Sequence, residues 1–306
     1  MKLFSGTANK KLSEEIAKKL KIKLAKSEVV QFGNSEIRVC IQEKVRDQEC
    51  FIVQSTSNPT DNHLMELFFY ADALKRNEAK KIIGFIPYFG YARQNREHRP
   101  GESVSVNVII RFLETVGFDE IYTFDIHDEG SEGIFTIPFK NLSVLPNLAK
   151  YIKKNLDAKE INKTVIISPD QGGIERTKLF ATSFYGKNSE IGVIEKKRDL
   201  NKIHNSQALE LFGNVKSKIV ILVDDVITSG GTLINAAKIC LDNGAIKVYA
   251  AISHHDFSLD APKKLQNSSI EKIFSSNTIE LKTSQKFPKL EEISIAEIIT
   301  QELKKH

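Results

Sequence analysis

The chain has 306 residues, is 41% hydrophobic and 27% charged, and carries a formal net charge of +5. That length suits two domains with their own cores, and the composition is that of an ordinary globular protein. No apolar run reaches the ~18 residues of a membrane span, the opening MKLFSGTANKK lacks a secretory apolar stretch, and no basic helix or aromatic-interleaved patch points to nucleic acid. Cys40, Cys50 and Cys240 are scattered, with no CxxC spacing. They read as reduced, structural thiols of a cytoplasmic protein with neither membrane nor nucleic-acid partner.

Apolar runs alternate with helical patterns along the chain. Strands are expected at Phe51–Gln54, Lys81–Ile86, Glu120–Phe124, Thr164–Ile167, Ile191–Ile194, Ile219–Val223 and Lys247–Ile252. Helices are expected at Asn9–Leu20, Asp61–Arg76, Val104–Val116, Leu145–Asn155, Gly173–Ala181, Thr232–Leu241 and Ile295–Lys304. This βαβ alternation predicts an α/β fold with parallel sheets covered by helices on both faces. Pro138, Asn141 and Pro146 punctuate a division near 140–148. Segments 121–133 and 219–231 share a faint pattern of apolar strand, acid and Gly-containing loop, which suggests a repeated unit.

Polar clusters stand at the carboxyl ends of the expected strands: Ser55-Thr56-Ser57, Pro87 to Gln94, Asp125-Ile126-His127, Ser168-Pro169-Asp170, Glu195 to Arg198, and Asp224-Asp225. Ligands of open α/β sheets bind at that edge.

The run 219–232 is the most informative. Ile219 to Val223 reads as a buried strand that leads into Asp224 and Asp225, then Thr228-Ser229-Gly230-Gly231-Thr232, then a helix. Loop N–H groups and a helix N-terminus can cradle a phosphate dianion. The glycines admit close backbone approach. The carboxylates can accept hydrogen bonds from vicinal sugar hydroxyls. A phosphosugar site is expected here; the bland alternative is a capped strand-to-helix turn.

Other segments add weaker signals. Pro87-Tyr88-Phe89-Gly90-Tyr91-Ala92-Arg93-Gln94 offers aromatic faces for a base and an Arg for phosphate. His127 suits a metal ligand, a general base or a structural role. Asp170 suits Mg²⁺, and Gly172-Gly173 opening a helix suits an anion. Glu195-Lys196-Lys197-Arg198 is a solvated charge run or a set of cations that meets a transferring phosphoryl group. Among phosphate-binding motifs there is no Walker GxxxxGK[ST] loop, so ATP use of the P-loop kind is not expected.

Taken together these motifs resemble the ribose-phosphate pyrophosphokinase (phosphoribosyl pyrophosphate synthetase) family over nearly the whole length. The resemblance rests on FGNSE at 32–36, QSTSNPTDNHLMEL at 54–67, ADALKR at 71–76, PYFGYARQ at 87–94, DIH at 125–127, SPDQGG at 168–173, EKKR at 195–198 and DDVITSGGT at 224–232. It implies two type I phosphoribosyltransferase-like α/β domains with mainly parallel sheets, related by pseudo-two-fold duplication. The expected extents are 1–144 and 145–289, with a C-terminal helix over 290–306 returning to the first.

The resemblance further implies transfer of the diphosphoryl group of ATP to the 1-hydroxyl of ribose 5-phosphate, releasing AMP, with Mg²⁺ as cofactor. Phe32, Asn34, Ser35 and Glu36 would line the adenine site, and Arg93 and Gln94 would hold ATP. His127 and Asp170 would hold the metal. Lys196 and Arg198 would be the catalytic cations. Asp224 and Asp225 would meet the ribose hydroxyls, with Thr228, Ser229, Gly230, Gly231 and Thr232 around the 5-phosphate. A dimer-based homo-oligomer, often a hexamer in the family, is implied as well. A type I phosphoribosyltransferase would not need the run at 87–94 or the cations at 195–198. A non-catalytic regulatory paralogue would commonly lose the cations or metal ligands kept here.

The chain also departs from the family pattern. Asn34-Ser35-Glu36 stands where DGE is common, Thr228 where an acid is frequent, and Ser258-Leu259-Asp260-Ala261 where Ser-Gly-Pro-Ala is usual. Asp128, Glu129 and Glu132 follow His127 and would repel a regulatory phosphate. Activity without added phosphate, and ADP inhibition competitive with ATP, are therefore expected.

Overall fold

The computed structural model describes residues 1–187, 189–197 and 208–306. The first unit comprises Met1–Ser143 with Asn277–Glu280 and Ser294–His306; the second comprises Val144–Ser276 with Leu281–Ile293.

In the first unit the chain runs β1 (Lys2–Ser5), α1 (Lys10–Leu20), β2 (Ser27–Gln31), β3 (Ile37–Ile41), β4 (Glu49–Val53), α2 (Thr60–Arg76), β5 (Lys81–Ile86), α3 (Ser105–Val116), β6 (Glu120–Phe124) and β7 (Phe139–Leu142). Strands pair in the order β1-β4-β5-β6-β7, all parallel, while β2 and β3 form a separate antiparallel hairpin. Cys50 to Val53 and Ile82 to Ile86 are continuously buried, the pattern of parallel strands covered on both faces. α1 starts where Asn9 accepts the Leu12 N–H, an N-cap worth about 1 kcal/mol. α2 buries Leu64, Leu67, Phe68, Ala71 and Leu74, one face at helical spacing.

The second unit runs α4 (Leu145–Asn155), α5 (Ala158–Lys163), β8 (Thr164–Ser168), α6 (Ile174–Tyr185), β9 (Gly192–Lys197), β10 (Ala208–Phe212), β11 (Ile219–Ile227), α7 (Gly231–Asp242), β12 (Lys247–His255), α8 (Ala261–Gln266), β13 (Lys272–Ser276) and β14 (Leu290–Ile293). Its sheet order is β10-β9-β8-β11-β12-β13-β14, parallel except at β9–β10. Helix α9 (Ala296–Leu303) then returns to α1 of the first unit, where Lys19 pairs with Glu297 at 2.8 Å.

The helix expected over 290–306 is thus shorter. Leu290–Ile293 pairs with β13 as an edge strand, and its Glu291 takes both Lys272 and the Tyr151 hydroxyl. The expected strand Ile219–Val223 is longer, running through Ile227. The expected helix Gly173–Ala181 likewise runs on to Tyr185.

Both units follow one connection order: strand, helix, antiparallel hairpin, strand beside the first, helix, and three further strands stepping outward. β1-β4-β5-β6-β7 thereby corresponds to β8-β11-β12-β13-β14. The likeness of 121–133 to 219–231 is not this correspondence, because β6 stands fourth in its sheet and β11 second in the shared order. An apolar strand ending in an acid is generic at the carboxyl edge of a buried parallel sheet, so the pattern recurred at unrelated positions.

Candidate active site

The second unit gathers its chemistry where β11 outlasts β8. Pairing with β8 covers Ile219 to Leu222, whereas pairing with β12 continues to Ile227. Asp224 and Asp225 lie in that step, inside β11 and not in the loop after it. The acids are held by Arg176, the third residue of α6. Its Nη1 lies 2.5 Å from Asp225 Oδ1 and 3.2 Å from Asp224 Oδ1. The Asp225 N–H donates to Asp224 Oδ1 at 2.9 Å. Burial, then the charge and hydrogen bond of Asp225, push the Asp224 carboxyl well above the ordinary carboxylate range, while Arg176 works against this.

Beside this step, the β8–α6 turn is tight. The Gly173 N–H donates to Asp170 Oδ1 at 2.9 Å, and Ser168 Oγ donates to the Asp170 carbonyl at 2.6 Å. A Cβ on Gly173 would lie 2.6 Å from Ser168 Oγ, so glycine is required for this approach. Asp170 is solvent-exposed, an oxygen donor of the kind Mg²⁺ takes when it keeps waters and substrate phosphates for its other positions. Among the described residues no group of three or more His, Cys, Asp or Glu is arranged to hold a metal alone.

After β11 the chain turns through Thr228, Ser229 and Gly230 into α7. Gly230 has φ +79°, a left-handed conformation suited to glycine, and a Cβ there would meet Leu265 of α8 at 2.9 Å. The Ser258 N–H donates to the Thr228 carbonyl at 3.1 Å, bracing the loop from behind. Gly230 offers α7 no side-chain cap; Ser229 Oγ accepts only the Gly231 N–H, at 3.5 Å, and the first turn holds no acid. Ser229, Gly231 and Thr232 are exposed, so the helix N-terminus is open to an anion.

The first unit places its candidates on three separate loops. Phe32, Asn34, Ser35 and Glu36 form the exposed tip of the β2–β3 hairpin. There the Phe32 N–H donates to the Glu36 carbonyl at 2.8 Å, and the Arg38 guanidinium lies 5.7 Å from the Phe32 ring centre. Phe32 is 44% exposed, a large aromatic face left to solvent. In the second loop, Arg93 and Gln94 are exposed and Ser105 Oγ donates to Gln94 Oε1 at 2.7 Å. Two aromatics of that run are engaged by the fold: Phe89 is buried in the core, and the Tyr91 hydroxyl donates to Asp61 at 2.5 Å. The third loop exposes His127 just beyond the buried Ile126. Of the acids that follow, Glu129 and Glu132 are exposed, while Asp128 accepts Asn95 Nδ2 at 2.8 Å and the Gly130 N–H at 3.2 Å.

β9 carries Lys196 by backbone, opposite Leu209 of β10, and the strand extends through Lys197. The Lys196 side chain and Arg198 lie outside the described residues. Arg176 was not singled out from sequence. Its signal is a cation in the first turn of a helix, a position the helix dipole disfavours unless acids are at hand.

An open, mainly parallel α/β sheet with paired acids at a strand end, followed by a glycine-opened helix with no acid in its first turn, defines a phosphoribosyltransferase-like protein. Residues 1–117 match the family described as the N-terminal domain of ribose phosphate pyrophosphokinase, and residues 187–306 the phosphoribosyl synthetase-associated domain. Ribose-phosphate pyrophosphokinase 1 of Streptococcus mutans is 37% identical over 302 residues, covering 98% of this chain and 92% of that protein. Ribose-phosphate pyrophosphokinase of Bacillus cereus is 38% identical over 299 residues, with the same coverage. The crystal structure of phosphoribosylpyrophosphate synthetase from Mycobacterium smegmatis superposes with a TM-score of 0.90 at 31% identity, covering 99% of this chain and 97% of that one. The chain belongs to the ribose-phosphate pyrophosphokinase family.

Proposed function

We propose that this chain makes 5-phosphoribosyl 1-pyrophosphate from ATP and ribose 5-phosphate, with AMP as the second product. The 1-hydroxyl oxygen of the sugar forms a bond to the β-phosphorus of ATP. The bond from that phosphorus to the α,β-bridging oxygen breaks, AMP leaves with the electron pair, and the hydroxyl proton passes to solvent. The observation that carries the reading is the open N-terminus of α7 beside the Asp224–Asp225 pair, which suits a 5-phosphate and a ribose diol on one sheet edge.

In this reading Thr228 to Thr232 hold the 5-phosphate through backbone N–H groups and hydroxyls, and the Asp224–Asp225 pair forms the ribose-hydroxyl site. Phe32, Asn34, Ser35 and Glu36 receive the adenine, with Arg93 and Gln94 on the ATP phosphates. His127 and Asp170 are the proposed holders of Mg²⁺, which when bound neutralises phosphate charge and leaves phosphorus open to attack. Asp170 fits that cation by its oxygen donors; His127 is the softer of the two. Lys196 and Arg198 meet the charge that grows on the transferring group. A duplicated pair of domains, a dimer-based homo-oligomer and a cytoplasmic setting complete the proposal. No described helix is long and apolar enough to cross a membrane.

Incubation with ATP, Mg²⁺ and ribose 5-phosphate tests this directly. AMP and a sugar diphosphate are expected in equal amounts. ADP in place of AMP would mean ordinary γ-phosphoryl transfer and would end the proposal.

A further inference from the structure

Asp224 and Asp225 are neighbours in sequence but not in circumstance. The Asp225 side chain is 4% exposed and meets Arg176 at 2.5 Å; the Asp224 side chain is 16% exposed and meets the same nitrogen at 3.2 Å. Alternation along a strand turns successive side chains to opposite faces, yet one guanidinium nitrogen reaches both. Arg176 can do so because it leaves the first turn of α6, which the tight Gly173 turn sets against the end of β11, 3.8 Å from the Val223 carbonyl to a Cβ on Gly173. The Arg176 side chain is itself only 18% exposed, so its charge is poorly met by water and depends on these acids.

We propose that Arg176 is a positioning residue that splits the acidic pair into an anchor and a reader. Asp225 is the buried counter-ion that fixes the guanidinium. Asp224, held at its edge by Arg176 and by the Asp225 N–H, is the carboxylate that reads the ribose 2,3-diol. Without the guanidinium the two carboxylates repel at close range, and Asp224 no longer faces the sugar in one orientation. The proposal rests on the ribose 5-phosphate reading of this site, and it assigns discrimination at the 2-hydroxyl to a residue that need not touch the substrate.

The test compares binding of ribose 5-phosphate with 2-deoxyribose 5-phosphate, by calorimetry on the full chain, in wild type, Arg176→Met, Arg176→Lys, Asp225→Asn and the double variant Arg176→Met/Asp225→Asn. Wild type is expected to prefer the ribose compound by about tenfold or more, the scale of a hydrogen bond to a charged group. Arg176→Met should lower ribose 5-phosphate affinity by about tenfold or more while 2-deoxyribose 5-phosphate changes little, so that the preference falls towards one. Lys, which keeps a cation without the planar fork, should restore part of it. Asp225→Asn should mimic Arg176→Met, and the double variant should be no worse than either single one. A preference that survives in Arg176→Met, or losses that add in the double variant, would overturn the proposal. So would a wild type that binds both sugars equally. If Arg176→Met does not fold, Asp225→Asn carries the same expectation and Arg176→Lys a preference reduced but not lost; full wild-type preference in both would overturn the proposal. Because the readout is binding, a wild type that reads the diol yet yields no AMP would count against the diphosphokinase reading and leave this one standing.

Discussion

The loop after β4 and the loop after β11 occupy the same place in the connection order of their units, and they are put to opposite uses. After β4, Gln54, Ser55, Thr56 and Ser57 are all buried and employed by the chain. Gln54 Oε1 accepts the Ala8 N–H at 3.0 Å, Ser55 Oγ donates to the Thr278 carbonyl, and Thr56 Oγ1 donates to the Tyr88 carbonyl while accepting the Gly90 N–H at 2.7 Å. The helix that follows, α2, has its own carboxylate in the first turn, Asp61. After β11, Ser229, Gly231 and Thr232 face solvent, and α7 has no acid in its first turn. One scaffold slot is closed by internal hydrogen bonds and an internal anion; the other leaves its helix N-terminus for an external anion. The lesson is one of polar accounting: a site sits where the fold leaves donors and charge uncommitted.

The hairpins differ in the same way. β2–β3 stands apart from its sheet and presents the exposed tip Phe32 to Glu36, whereas β9 joins its sheet beside β8 and brings Lys196 to the carboxyl edge. If the second unit carries the chemistry, Lys196→Ala and Arg198→Ala should each lower kcat by about 10²- to 10³-fold, the scale of losing one contact made to transition-state charge. KM for ribose 5-phosphate should change little. Steady-state kinetics decide this, and a raised KM with wild-type kcat would reduce the two cations to substrate binders.

Giving α7 what α2 already has should close the open slot. Thr232→Asp places a carboxylate in the first turn, where it favours the helix itself but repels a 5-phosphate. KM for ribose 5-phosphate should rise about tenfold, while the melting temperature holds or increases and ATP affinity is unchanged. An unaltered KM would move the phosphate elsewhere.

Much of the scaffold was legible in the sequence. Lys81–Ile86, Glu120–Phe124 and Leu145–Asn155 were predicted at their observed bounds, because long apolar runs and helical spacing report burial directly. Short or edge elements were not: β2, β3, β10 and β14 are half-exposed or paired on one side only, and their signal is weak. The paired acids and glycine loop were readable because they are contiguous. Arg176 was not, because its meaning lies in residues 48 and 49 positions away. Of the aromatics in 87–94, Phe89 is not available to a base, and nothing local in the sequence shows that it points into the core.

The amino-terminal edge of the first sheet tests whether charge there serves stability alone. Glu120 is buried, which would raise its carboxyl, but hydrogen bonds from Lys81 at 2.7 Å and Lys140 at 3.0 Å hold it at about 2. A folded value below the ordinary 4.5 means its stabilisation is present above that pH and is lost as pH falls from there towards 2. Both lysines are partly in water, so Glu120→Gln should cost about 2 kcal/mol at neutral pH, less than the full shift implies. The variant and wild type should converge in acid. Denaturant melts across pH measure this, and a difference independent of pH would mean that packing, not charge, is what the substitution removes.

The smallest expected effect tests the closed slot itself. Ser55 holds the position in the first unit that the acids and glycine loop hold in the second, and its hydroxyl is spent on the Thr278 carbonyl within that unit. Ser55→Ala removes one neutral, buried hydrogen bond and leaves almost the same volume. Such a loss costs about 1 kcal/mol of stability. Ribose 5-phosphate has no part in this contact, so its KM should not move, and kcat should stay within about twofold. If sugar affinity falls with Ser55→Ala while the protein melts as before, the loop after β4 is a ligand site as well, and the contrast between the two loops fails at the point where it was drawn.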